Sequence, residues 1–215
     1  VPLGVFGLIA LNAAVFAYEL SFTQPDLRAA FIDAWALIPF DLTHGVQLPP
    51  PAPPEFATLV SFQFLHASVL HVLGNMLVLA MFGPVVEALF GHLRFVAFYL
   101  VCGTLGGLAH VSAMPDSHVP SIGASAAIAG VLGAYSLHFP TRELVRYVPA
   151  ILVIGVWVAA QFVHGFGPQL ASNAAGQGGG IAYFAHIGGF LAGVMLGGLF
   201  ATRKRPPRAR LRYGP

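Results

Sequence analysis

Charge is the scarcest property of this chain. Only 8% of its 215 residues are Asp, Glu, Lys or Arg, while 57% are hydrophobic, and mean hydropathy is +0.77. A soluble domain carries roughly a quarter charged residues, so a soluble globular fold is excluded and the chain is assigned to the membrane. Cysteine is almost missing too. Cys102 stands alone in an apolar stretch, which rules out an intramolecular disulfide and any CxxC metal pair. HExxH does not occur, and neither a cofactor nor a metal is expected. A net charge of +2 does not point to nucleic acid, because six of the ten basic residues (Arg203, Lys204, Arg205, Arg208, Arg210 and Arg212) form one run. Such runs flank membranes. Val1 is not an initiator methionine, so no targeting signal is read from it.

What is abundant is long uncharged sequence. A membrane-spanning helix needs about 20 mostly apolar residues, and six stretches qualify, at roughly 3–20, 69–90, 93–112, 122–139, 144–164 and 181–201. The expected fold is an all-α, six-helix membrane domain over residues 1–202, followed by a basic cytoplasmic tail at 203–215. Between Phe56 and Val86 no charge occurs, and a continuous helix there would be about 46 Å long, well beyond a ~30 Å hydrocarbon core. Ser68 is therefore read as an N-cap, leaving Phe56 to Ala67 as an interfacial or partly inserted segment. The fourth stretch is rich in Gly and Ala and suits a shorter helix inside the bundle. A long loop joins the first two spans. Its Phe31, Trp35, Ile38 and Phe40 suggest a piece resting on the membrane surface, and its Pro-rich residues 48–54 read as a linker.

Placing both termini in the cytoplasm puts Arg94, Arg142, Arg146 and the six tail residues inside, nine of the ten basic residues, with only Arg28 outside. The inverted topology would break the positive-inside rule. Glu19, Asp26, Asp33, Asp41, Glu55 and Asp116 then fall at or beyond the outer boundary. Apart from Glu87, near the cytoplasmic end of the second span, no carboxylate is expected inside.

In this topology spans two, four and six enter from outside, and each carries polar residues near its outer end. His71 and Asn75 are one turn apart on the second, Ser125 lies near the start of the fourth, and His186 lies about 7 Å into the sixth. Polar groups at membrane depth are costly, so their convergence calls for a function. A serine at a helix start after Gly-x has backbone N–H donors suited to an oxyanion. A histidine within reach would serve as its general base, and Asn75 with His71 would donate to the tetrahedral intermediate. Without a nearby carboxylate the pair would work as a dyad rather than a triad.

His66-x4-His71-x3-Asn75, Gly123-Ala-Ser125 and Ala185-His186-x2-Gly189 together resemble the rhomboid family of intramembrane serine proteases, over nearly the whole chain. The resemblance implies Ser125 as nucleophile and His186 as base. It implies an oxyanion site of His71, Asn75 and the Ser125 backbone N–H, with His66 and Gly123 supporting. It further implies cleavage in or near transmembrane segments of protein substrates, a small residue before the cut bond and substrate helices that unwind easily. Three features depart from the family pattern: Ala126 stands where glycine is common, Ala129 where some members stack a tyrosine on the catalytic histidine, and the first loop lacks a Trp-Arg pair.

Trp157 and Gln161, one turn apart, are candidate gate residues, with interfacial anchoring an equal alternative. The glycines from Gly176 to Gly180 make a loop ahead of His186 that would serve as a lid or as a simple connection. Gly103 and Gly107, and Gly189, Gly193 and Gly197, have the spacing that lets helices approach closely. His44, His92, His110, His118, His138 and His164 are read as solvated or interfacial. Rival functions are a non-catalytic rhomboid-like binder of membrane clients, a haem or metal protein using His71, His110 and His186, and a transporter. The transporter lacks the charged coupling residues it would need. The expected setting is the lipid bilayer of a bacterial inner membrane, with the site opening outward; oligomeric state is not legible.

Overall fold

The computed structural model describes residues 1–139, 143–145, 148–149, 152, 154–155 and 183–202. Its long helices are α1 (Leu3–Ser21), α5 (Val69–Phe90), α6 (His92–Ala113), α7 (Ser125–His138) and α8 (Tyr183–Phe200), with α2 (Pro25–Trp35), α3 (Pro39–His44) and α4 (Thr58–Ser61) in the first loop. Among the described residues, α1, α5, α6 and α8 are long and apolar enough to cross a membrane. Exposed Leu70, Leu73, Leu77 and Met81 line one face of α5, and Met195 and Leu199 protrude from α8. An aqueous surface would not carry so much apolar area.

Tight chemistry fixes the helix ends. Ser68 has extended backbone and its hydroxyl accepts from the His71 N–H at 3.2 Å, the N-cap expected from sequence. At the other end of α5, Gly91 takes φ +84 and closes the turn into α6, a conformation natural to glycine. Nearby, the buried Glu87 carboxylate accepts from Gly4 N at 2.8 Å and Val5 N at 2.7 Å and pairs with His92. A carboxylate at the positive end of α1 satisfies donors that the helix itself cannot.

Two expected boundaries move. The fourth helix begins at Ser125 rather than Ile122 because Gly123 has φ +123, which no α-helix tolerates. Its 14 residues span only about 21 Å, short of a ~30 Å hydrocarbon core. Where the fifth span was expected to start, two short antiparallel strands occur instead, β1 (Glu143–Val145) and β2 (Val148–Pro149). Val148 precedes a proline, which favours extended backbone. Beyond the strands Leu152, Ile154 and Gly155 are helical, with Ile154 buried, while Trp157, Gln161 and the Gly176–Gly180 loop lie outside the described residues.

α7 is the central helix, buried from Ala126 through Tyr135. It packs chiefly on α8, and glycine makes the approach possible. A methyl group added to Gly189 would strike the Ala126 carbonyl, and one on Gly193 the Gly130 carbonyl. Gly103 and Gly107 act differently from expectation. They make room for first-loop side chains, Gly103 for Gln63 and Gly107 for Leu37 and Phe62, since the segment before α5 lies in the bundle, with Phe62, Gln63 and His66 buried. Gly193→Ala should therefore destabilise the protein by about 1–3 kcal/mol through overpacking. Gly198→Ala, which meets open space, should be neutral or slightly stabilising. Thermal unfolding in detergent would compare the two.

Candidate active site

The α7–α8 contact brings Ser125 Oγ to 2.7 Å from His186 Nε2. Ser125 opens α7 and is partly exposed, whereas His186, in the first described turn of α8, is buried. This distance is right for proton transfer. A serine donating to Nε2 requires the imidazole proton on Nδ1. Tyr183, one turn before His186, meets its ring edge-on at 6.5 Å between centroids and 88°. An aromatic flank thus comes from α8 itself, while Ala129 on α7 supplies none.

Gly123 makes the turn that presents the serine. Its positive φ suits glycine, and its missing side chain leaves space for the neighbouring donors. A methyl group there would sit 2.8 Å from His71 Nε2 and 3.6 Å from Asn75 Nδ2, so both side chains face the Gly123–Ser125 turn. Asn75 Nδ2 lies 3.1 Å from His66 Nε2. An amide NH2 can only donate, so His66 Nε2 accepts and its Nδ1–H points to the Phe64 carbonyl, 3.3 Å away. Burial, with His71 adding to it, pushes the His66 imidazole down to about 4, which keeps this ring neutral as an acceptor. One N–H of Asn75 remains for the pocket.

The first loop fastens this turn from outside. Leu37 and Ser121 exchange backbone hydrogen bonds of 3.1 and 2.9 Å, and Gly123 N donates to the Phe62 carbonyl at 2.8 Å. Phe40 N donates to Ser117 O at 3.0 Å, and the Thr43 hydroxyl donates to Pro115 O at 2.8 Å. α3 and the Leu37 segment before it are thereby laid against the strap that enters α7. Ala126, the first departure from the family pattern, is fully packed; its methyl fills space left by Gly106, where an added Cβ would come to 3.0 Å.

Three polar residues are more buried than expected. Glu19 is not at the surface. It lies in the last turn of α1, fully buried, and accepts from the His66 N–H at 3.1 Å. Its sequence signal was the pairing of a span-end carboxylate with Arg28, the only basic residue assigned to the outer side. His110 is not solvated either, being buried on α6 one turn beyond Gly106, which packs against Ala126 and the α8 backbone. Its depth in an otherwise apolar helix was the available clue. His138 is also partly buried, 3.2 Å from the Gly197 carbonyl, because the ring folds back onto α8. Among the described residues no three His, Cys, Asp or Glu side chains form a metal-binding group.

A model of the rhomboid domain matches residues 53–203. Rhomboid protein 1, mitochondrial, from Saccharomyces cerevisiae is 32% identical over 213 residues, 96% of this chain and 56% of its own. RHOMBOID-like protein 5 from Arabidopsis thaliana is 31% identical over 161 residues, 73% of this chain and 48% of its own. Rhomboid protease GluP from Bacillus subtilis is 32% identical over 145 residues, covering 66% of this chain and 26% of that protein. The chain spans about half the length of the first two relatives and about a quarter of the third.

A serine activated by an imidazole should react with a fluorophosphonate. Labelling is expected in the wild type, none in Ser125→Ala, and at least about 10²-fold slower reaction in His186→Ala, the contribution of a general base. Gel fluorescence with time-resolved labelling would measure it.

Proposed function

This chain belongs to the rhomboid family, and from that premise we propose that it is an intramembrane serine endopeptidase working through a Ser125–His186 dyad. The observation that carries the reading is the 2.7 Å contact between Ser125 Oγ and His186 Nε2, formed at the start of a buried helix. Its substrates are transmembrane proteins, cut in or near their membrane segments. Residues 1–202 form the catalytic membrane domain, and 203–215 a cytoplasmic basic tail. The protein is integral to the membrane, and the positive-inside rule favours both ends of this chain in the cytoplasm with the site opening outward. A bacterial inner membrane is the proposed location.

As Ser125 Oγ attacks the scissile carbonyl, His186 Nε2 takes its proton. The carbonyl oxygen becomes an oxyanion, held by the Ser125 N–H at the positive end of α7 and by His71 and Asn75. His186 then protonates the leaving amine as the C–N bond breaks, leaving an ester on Ser125. Water follows the polar pocket in from the outer side, gives a proton to His186 and attacks the ester. Collapse returns the proton to Ser125 and releases the acid product. Tyr183, one turn earlier on α8, flanks the imidazole edge-on and helps to hold its orientation.

The test is cleavage of a model transmembrane substrate in liposomes, with the cut site mapped by mass spectrometry. Wild type should cut, and Ser125→Ala and His186→Ala should fall to background while remaining folded. Asn75→Ala should lose about 10²–10³-fold in kcat, the usual effect of removing one oxyanion donor. Unchanged cleavage by Ser125→Ala would refute the mechanism, and binding without cleavage by the wild type would favour a non-catalytic client binder.

A further inference from the structure

Glu19 takes no part in the chemistry above, yet its position is unfavourable unless something is gained. It is a fully buried carboxylate in the last turn of α1, at the negative end of the helix dipole. Its Oε1 accepts from the His66 N–H at 3.1 Å, and its Oε2 lies 3.6 Å from Arg28 Nη2. Arg28 Nη2 in turn reaches the carbonyls of His66 at 3.4 Å and Ala67 at 3.5 Å. The charge pair therefore grips the main chain of His66 at both its N–H and its C=O.

The side chain of His66 is held with equal care. Phe16, one turn before Glu19 on α1, meets the imidazole edge-on at 6.4 Å and 89°, and His71 flanks it at 5.0 Å. From that ring Nε2 accepts from Asn75. Glu87, the buried carboxylate at the opposite end of α1, offers a contrast. Its hydrogen bonds go to the first N–H groups of α1 itself, which is helix anchoring. Those of Glu19 go to the residue that touches Asn75.

We propose that Glu19, assisted by Arg28, is a positioning residue of the oxyanion site: the carboxylate fixes the His66 backbone, and through the His66 ring it sets the direction of the Asn75 amide. The inference rests on the proteolytic reading above. A role of this kind acts on the transition state and leaves substrate binding nearly untouched.

A double-mutant cycle in the full chain tests it, reading kcat and KM on the transmembrane substrate. Glu19→Ala should lower kcat about tenfold or more with KM little changed. Glu19→Gln keeps an oxygen for the His66 N–H and should recover kcat to within about threefold of wild type. In an Asn75→Ala background Glu19→Ala should have no further effect, because nothing is left to position. Should Glu19→Ala fail to fold, Arg28→Ala runs the same cycle, with a smaller loss that again vanishes without Asn75. Losses that multiply in the double variant, or wild-type kcat in Glu19→Ala, would overturn the positioning role. A wild type that does not cut at all would instead refute the proteolytic reading.

Discussion

Everything at the Ser125 end of this bundle depends on how closely α7 and α8 approach. Their contact is made backbone to backbone, with Gly189 against the Ala126 carbonyl and Gly193 against the Gly130 carbonyl. In lipid no hydrophobic force separates one helix from its apolar surroundings, so association rests on packing and on hydrogen bonds. Glycine supplies the packing by letting backbones meet. Ser125 and His186 are the polar consequence, because two helices this near must bring their first turns within hydrogen-bond distance.

A second constraint follows from burial. Polar side chains withdrawn from water need partners, and here they find them in a chain leading inward from α1. Glu19 holds His66, His66 holds Asn75, and Asn75 faces the turn at Gly123. The first loop works on the other side of the same turn through Leu37, Ser121 and Phe62. The serine is consequently presented by a glycine whose position is fixed from two directions. Such support by surrounding contacts is what a preorganised oxyanion site requires. Meanwhile Glu87 ties α1, α5 and α6 at the far end, so the helix that carries His71 and Asn75 is anchored at its base.

Much of this could be seen in the sequence because membrane insertion writes a simple signal. α5 begins and ends where the uncharged run and Ser68 indicated, α1 and α6 shift by only one residue, and α8 ends one residue early. The short α7, from a stretch rich in Gly and Ala, was also visible, since small residues in a brief apolar stretch suit a helix enclosed by others. What the sequence could not show were choices between partners. Gly103 and Gly107 have helix-packing spacing, but spacing does not name the neighbour, and the neighbour is the loop segment carrying Leu37, Phe62 and Gln63. Glu19 sits at a span end, where a charge is ordinarily solvated; only its distant contact with His66 places it inside. The Leu37–Ser121 bridge joins residues far apart in sequence and leaves no local pattern. The strands at Glu143–Val145 and Val148–Pro149 gave way to an apolar reading because Leu, Val and Ile serve strands and helices alike.

The central claim is that Ser125 and His186 act on one carbonyl as a pair. Reaction with a peptidyl chloromethyl ketone, followed by peptide mapping, addresses both residues at once, since the ketone forms a hemiketal with the serine while its methylene alkylates the imidazole. A single inhibitor bridging Ser125 Oγ and His186 Nε2, lost when Ser125 is replaced by alanine, is the expected result. Alkylation of another histidine, or of His186 at an undiminished rate without Ser125, would contradict the dyad.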